Sequence, residues 1–301
     1  MGHGHSHGSG HAGGRHRSRL ALAFVLIATF FVVELVFGLL SGSLALISDA
    51  GHMAADVVTL AAALAATSIA TRKDTTGRRT YGSYRAEVFA SGFAVLTMLG
   101  VSTYIVISAL GRIGSEPEIQ TGPMLIVGAL GLAVNIAALF LLRSGATESL
   151  NVKGAYLEVV ADTAGSVGVV VAGWLVLTTG NPLWDTVLAL AIGAFVVVRA
   201  LMLGRQVLAV LGQHVPEGMD LAAIESDLTG IEGVVSIHDL HIWTLTSGMN
   251  VATTHLVIAD GHDAPTILAE TASKLRDDYD LAHATIQVES TDHTGCHELG
   301  W

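Results

Sequence analysis

Six long apolar runs dominate the first two thirds of the chain. They occupy residues 20–40, 44–70, 88–111, 122–142, 154–179 and 183–204. About 20 apolar residues in a helix cover the roughly 30 Å hydrocarbon core of a bilayer, so each run predicts one membrane-spanning helix. The first run is too long for the core of a signal peptide and lacks the small-residue cleavage pattern. We therefore expect it to remain in the protein as a helix.

The pattern changes after residue 212, where no further run of this length occurs. Periodicity and β-branched enrichment predict a helix, two strands, a helix and a strand, near 219–229, 234–244, 250–258, 264–278 and 284–289. This αββαβ order is typical of a small sheet with helices on one face. The predicted fold is thus a six-helix membrane domain (18–212) followed by an α+β domain (213–290), with a starting tract (1–17) and a final tail (291–301).

Composition and charge support this division. Hydrophobic residues make up 51% of the chain and charged residues 14%, which excludes a simple soluble protein. Residues 1–212 carry 13 basic and 11 acidic side chains, whereas 213–301 carry two basic and 15 acidic ones. Such an acidic domain argues for solubility and cations and against nucleic acid. The single cysteine excludes an intramolecular disulfide.

Basic residues are concentrated in alternate loops. They precede the first span, separate the second from the third, lie between the fourth and fifth, and follow the sixth. Because cytoplasmic loops carry the excess of Lys and Arg, we expect both termini to be cytoplasmic.

Two of the predicted spans contain ionisable residues at helical spacing. His52 and Asp56 stand four apart in the second span, as do Glu158 and Asp162 in the fifth. A charged group at a span centre costs roughly 2.5–3.5 kcal/mol, so such pairs need a function. If the two faces meet, one imidazole and three carboxylates form a four-coordinate site for a divalent cation.

Two further acids lie in spans. Asp49 lies on the same stripe as His52, three residues before it, and is interpreted as a helix-end group or a group that orients His52. Glu34 in the first span is open to three interpretations: pairing with a cation, relaying protons or facing a cavity.

Histidines are also concentrated at both ends of the chain. The glycine-rich start holds His3, His5, His7, His11 and His16, which predicts a flexible tract with weak metal affinity and no fixed structure. The end holds His293, Cys296 and His297, which would bind metal or belong to a disordered tail.

Several segments, in order, carry a resemblance to a known family. They are GLLSGSLALISDAGHMAADV, RTYGSYRAEVFAS, NVKGAYLEVVADTAGSVG, SIHDLHIWTLTSG and ATIQVE. Together they resemble the cation diffusion facilitator family of zinc and heavy-metal exporters. The resemblance implies a homodimer in the lipid bilayer, with a ferredoxin-like cytoplasmic domain, that exchanges a divalent metal for protons across the membrane.

The resemblance also implies site residues. His52 and Asp56 match one family ligand pair and Asp162 matches half of the other, whereas zinc-moving members usually have His at the position of Glu158. A third carboxylate makes the site more tolerant of Mn²⁺, Fe²⁺, Co²⁺ or Cd²⁺. Zn²⁺ remains the expected substrate, and we expect Glu158→His to sharpen the preference for zinc. Glu158 is also expected to be one of the proton carriers.

In the acidic domain the resemblance marks His238, His255 and His283 as cytoplasmic zinc ligands, with Glu289 as a candidate fourth. Metal there would hold neighbouring tail domains together and favour the transporting state. His241 and Trp243 are interpreted as packing or dimer contacts.

Three other classes of protein were weighed. A passive metal channel would not respond to a pH gradient, and in a membrane-anchored metal sensor the tail domain would be the functional part. An intramembrane metalloenzyme is disfavoured because H-E-x-x-H is absent and four ligands leave no open position, so we expect no enzyme. The Ala, Gly and Val bias indicates a bacterial inner membrane.

Overall fold

The computed structural model describes residues 11–70, 80–112, 118–143, 150–246, 248–281 and 283–292. The chain divides into two compact units. One contains the chain up to Ala65 together with Ala90–Gly204, and the other contains Ala66–Phe89 together with everything from Arg205 onward.

Six long helices account for the apolar runs. They are α1 (His11–Ser41), α2 (Leu44–Ala70), α3 (Ala86–Gly111), α4 (Thr121–Leu142), α5 (Leu150–Thr179) and α6 (Leu183–Leu211). Within the described residues, five segments are long and apolar enough to cross a membrane: Phe24–Ser41, α3, α4, Tyr156–Thr179 and α6. The remaining helix, α2, has 27 residues and carries Asp49, His52 and Asp56. The six predicted helices are confirmed.

The start of α1 differs from the prediction. The helix begins at His11, so the expectation of no fixed structure over residues 1–17 is wrong from that residue onward. Extending an existing helix adds one hydrogen bond for each residue fixed, without a new nucleation cost. A membrane helix therefore continues readily into the polar segment before it.

Small residues let the membrane helices approach each other closely. A Cβ atom added at Gly51 of α2 would lie 2.2 Å from Cγ1 of Val101 in α3, and one at Gly131 of α4 would lie 2.7 Å from the ring of Phe30 in α1. Such contacts are typical of helix packing in membranes, where dispersion replaces the hydrophobic effect between helices.

Asp185, in the first turn of α6, accepts hydrogen bonds from the first residues of α2. Its fully buried carboxylate accepts hydrogen bonds from Ser43 Oγ (2.6 Å) and from the backbone N–H groups of Leu44 (2.8 Å) and Ala45 (3.2 Å). Arg112 Nη1 donates to the same carboxylate at 3.2 Å. Asp185 is thus a residue of the first turn of α6 that caps the start of α2.

The turn between α1 and α2 is held by the same group of residues. Gly42 adopts φ +69°, a conformation that L side chains rarely adopt, and its carbonyl accepts a hydrogen bond from Arg112 Nη2 at 2.7 Å.

The second unit contains the predicted αββαβ fold, with α7 (Leu221–Thr229), β1 (Val234–Thr246), β2 (Met249–Ile258), α8 (Ala264–Asp277) and β3 (His283–Ser290). The sheet order is β1-β2-β3, with β1 antiparallel and β3 parallel to β2. Apolar residues of both helices and the sheet form its core, including Ile224, Leu228, Leu256 and Leu275.

Helix caps and one tyrosine contact stabilise this domain. Asp220 and Asp263 cap α7 and α8 by accepting from the N–H groups of Ala222 and Thr266. The hydroxyl of Tyr279 donates to Asp227 Oδ2 at 2.6 Å, and this hydrogen bond raises the pKa of Tyr279 to about 12.

Candidate metal centres

Helices α2 and α5 bring three of the four predicted membrane ligands together. His52 Nε2 lies 3.2 Å from Asp162 Oδ1 and 3.8 Å from Asp56 Oδ2. One ligand atom from each residue falls within 4.8 Å of the other two. His52 and Asp162 are buried, and Asp56 lies at the edge of the group with 20% of its side chain exposed.

One carboxylate oxygen of Asp56 and one of Asp162 lack ordinary hydrogen-bond donors among the described residues. Asp56 Oδ2 and Asp162 Oδ1 are buried, and neither accepts a hydrogen bond of normal geometry from the residues that the structure describes. Buried carboxylate oxygens are costly unless they are paired with donors or a cation. Asp56 Oδ2 and Asp162 Oδ1 therefore present lone pairs beside the ring of His52, an arrangement that suits a metal ion.

Glu158 lies outside this group, so its prediction as a fourth ligand is not met. Nη2 of Arg199, on α6, lies 2.5 Å from Glu158 Oε2, and the Glu158 side chain is 42% exposed. The same guanidinium places Nη1 3.3 Å from His52 Nε2 and Nη2 3.9 Å from Asp56 Oδ1. In this structure Glu158 is the partner of an arginine.

Sequence reasoning missed Arg199. The signal was available, because Arg199 stands inside the predicted sixth span, where a charge is as costly as the acids of the second and fifth spans. The partners of Arg199 could not be inferred without knowing that α6 lies beside α2 and α5.

Asp49 and Glu34 form a second acidic contact in the same unit. Both are buried and lie close enough to interact electrostatically, and neither oxygen of Glu34 has a hydrogen-bond partner among the described residues. The prediction that Asp49 orients His52 is wrong, since His52 Nδ1 has no hydrogen-bond partner among the described residues. Glu34 faces an acid rather than a cation.

The sheet of the second unit holds another group of ligands. His238 and His255 lie directly opposite each other on β1 and β2. Glu289 on β3 places Oε1 3.0 Å from His255 Nδ1 and Oε2 3.5 Å from His238 Nε2. His238 Nε2 is buried without a hydrogen-bond partner among the described residues, and Gln287 donates to Glu289 Oε1. Two imidazoles and one carboxylate form a set that suits zinc.

His283 does not join them, and its prediction as a ligand is wrong. It lies opposite Val251 at the start of β3, and its ring contacts Tyr81 with 5.6 Å between centroids. Six residues of strand separate it from Glu289, a distance of about 20 Å.

The remaining predicted ligands cannot be placed. His3, His5, His7, His293, Cys296 and His297 lie outside the described residues, as do the side chains of His11 and His16.

Comparison with known families covers almost the whole chain. The family of the "Cation efflux transmembrane domain" matches residues 20–211, and that of the "Cation efflux protein, cytoplasmic domain" matches residues 216–291. The chain belongs to the cation diffusion facilitator family. This family consists of transporters, so the facilitator is an integral membrane transporter of metal cations and not an enzyme.

Relatives of this facilitator align along nearly their full length. The "Metal cation efflux system protein CzcD" of Cupriavidus metallidurans is 45% identical over 96% of the chain and 90% of the relative. The "Cadmium, cobalt and zinc/H(+)-K(+) antiporter" of Bacillus velezensis is 35% identical over 97% and 93%. The "Zinc transporter ZitB" of Escherichia coli is 33% identical over 99% and 94%.

Proposed function

We propose that the protein exports a divalent metal ion, with Zn²⁺ as its leading substrate, in exchange for protons by alternating access. The observation that carries this proposal is the group of His52, Asp56 and Asp162, whose ligand atoms lie within 4.8 Å of one another and in which Asp56 Oδ2 and Asp162 Oδ1 are buried without a hydrogen-bond donor among the described residues. The printed names of the relatives, which include zinc transport and antiport, support it.

The spacing of the ligand atoms supports zinc. Zinc with tetrahedral ligands at about 2.0–2.1 Å requires about 3.3 Å between neighbouring ligand atoms. The 3.2 Å between His52 Nε2 and Asp162 Oδ1 meets this requirement, and the 3.8 Å to Asp56 Oδ2 needs only a small movement. Cd²⁺, Co²⁺, Mn²⁺ and Fe²⁺ accept the same ligand types and are further candidate substrates.

Proton exchange follows from ligand chemistry. A metal binds carboxylates and imidazole only in their deprotonated forms, so its arrival expels protons and its departure lets protons return. Helices that rock about a fixed site near the bilayer midplane would expose it to each side in turn.

The assembly and location extend this proposal. Support for a homodimer comes from the match to the cytoplasmic domain family, and support for a bacterial inner membrane with cytoplasmic termini comes from loop charge and composition. Zn²⁺ bound by His238, His255 and Glu289 would act as a cytoplasmic signal that favours transport.

Flux of Zn²⁺ into proteoliposomes with an imposed pH gradient tests the function. The parent is compared with Asp56→Ala and Asp162→Ala, and Glu225→Ala, an exposed acid of α7, is the matched control. We expect gradient-dependent flux in the parent and control and its loss in both site variants. Flux that ignores the gradient would indicate a channel, and flux unchanged by both site variants would refute the site.

A further inference from the structure

Arg199 is a cation built into the wall of the transport site. It projects from α6, and its guanidinium lies within 4 Å of groups on both ligand-bearing helices: His52 and Asp56 on α2, and Glu158 on α5. Arg199 is 23% exposed, so the pair that it forms with Glu158 lies at the rim of the buried group.

The contacts of Arg199 are unequal. Its Nη2 atom lies 2.5 Å from both Glu158 oxygens, a charge-assisted contact, but 3.9 Å from Asp56 Oδ1. Glu158 is therefore its principal partner. Asp162, one turn further along α5, instead faces His52.

The charges of the site support a defined division of roles. Three carboxylates and one guanidinium give a net charge of −2 when His52 is neutral, which one divalent cation cancels. Without Arg199 the loaded site would keep one negative charge inside the membrane, where uncompensated charge is costly.

We infer that Arg199 determines metal selectivity by holding Glu158 in an ion pair outside the ligand set, so that metal binds through His52, Asp56 and Asp162. This inference rests on the proposed function, since it concerns the same transport site. It explains why Glu158, although it lies one helical turn from Asp162, does not act as a third carboxylate ligand.

Removing Arg199 should release Glu158 toward the metal. Glu158 is four residues from Asp162 on one helix, so a change of side-chain rotamer brings its carboxylate to the same face. The site of Arg199→Met would gain a third carboxylate ligand, which favours harder ions such as Mn²⁺.

Binding of Zn²⁺ and of Mn²⁺ to the purified full-length protein tests this inference. Four proteins are measured: the parent, Arg199→Met, Glu158→Gln and the double variant. Each is also measured with Asp162→Ala added, and subtracting the metal bound by that version leaves the binding at the transport site. In Arg199→Met we expect the affinity for Mn²⁺ relative to Zn²⁺ to rise by about tenfold or more.

The double variant provides the sharper test. Without both members of the ion pair the three ligands remain, so its affinities for both metals should stay within about threefold of the parent. In Glu158→Gln alone, the released Arg199 should turn to Asp56 and weaken binding of both metals.

A loss of about tenfold or more in zinc affinity in the double variant would show that Glu158 is a ligand and would overturn the inference. An unchanged ratio of affinities in Arg199→Met would overturn it too. Should Arg199→Met fail to fold, the double variant alone decides, because it leaves no unpaired charge. Failure of the parent to exchange zinc for protons would refute the proposed function without altering these binding results.

Discussion

Replacing Asp185 by Ala should destabilise the membrane domain more than any other single change at the α1–α2 turn. The carboxylate is fully buried and accepts four hydrogen bonds, one of them from Arg112. Removing one member of a buried ion pair costs about 3–5 kcal/mol, because the other charge loses its partner. Two backbone N–H groups at the start of α2 also lose their acceptor.

Graded substitutions separate these contributions. Asp185→Asn keeps one acceptor oxygen but loses the charge, for an expected loss of about 1.5–3 kcal/mol. Ser43→Ala removes the hydroxyl that donates to Asp185 and accepts from the N–H group of Leu46, at a cost of about 1–2 kcal/mol. Equilibrium unfolding in mixed micelles with increasing SDS measures the free energy of unfolding for each variant.

The order of the variants is the test. We expect Asp185→Ala to lose the most stability, Asp185→Asn less, and Ser43→Ala the least. A loss in Asp185→Ala no larger than that in Ser43→Ala would refute the reasoning, since the ion pair would then contribute nothing measurable.

Three further predictions concern helix packing, the His238–His255–Glu289 cluster and a tyrosine. Gly51→Ala should lower the unfolding free energy because its Cβ would meet α3 at 2.2 Å, whereas Gly100→Ala, with nothing within 4 Å, should leave it unchanged or raise it by up to about 1 kcal/mol. Calorimetric titration should show that His255→Ala loses one zinc site of the full-length protein while His283→Ala keeps it; equal losses would contradict the cluster. The phenol of Tyr279 should ionise near pH 12, so its hydrogen bond contributes to stability below about pH 10 and is lost between pH 10 and 12. Difference absorbance against Tyr279→Phe measures this ionisation, and ionisation near pH 10 would contradict the hydrogen bond.

Elements set by local patterns were predictable from the sequence. The long apolar runs and the αββαβ pattern each depend on residues within one segment of the chain. The observed helices and strands lie close to the predicted ranges, apart from the earlier start of α1. The pairing of His52 and Asp56 with Asp162 was also predictable, because intramembrane acids on two helices need a common partner.

Features that depend on neighbouring elements were not predictable in this way. The partner of Glu158 lies on α6, and nothing within α5 shows that an arginine faces it. His283 was misplaced because its sequence context does not specify the register of β3 against β2. Asp239 adopts φ 50°, and the register of β1 against β2 shifts between His238 and His241. The alternation of apolar and polar residues along β1 does not predict this shift.

The His238–His255–Glu289 cluster takes one residue from each of the three strands of the sheet, which are β1, β2 and β3 in that order. Because β2 is central and the other two strands form the edges, a single ion would fasten both edges to the middle at one point. Loss of that ion would loosen the edges first, and amide hydrogen exchange in β1 and β3 would quicken before exchange in β2. The stiffness of this sheet would then follow the concentration of metal around it.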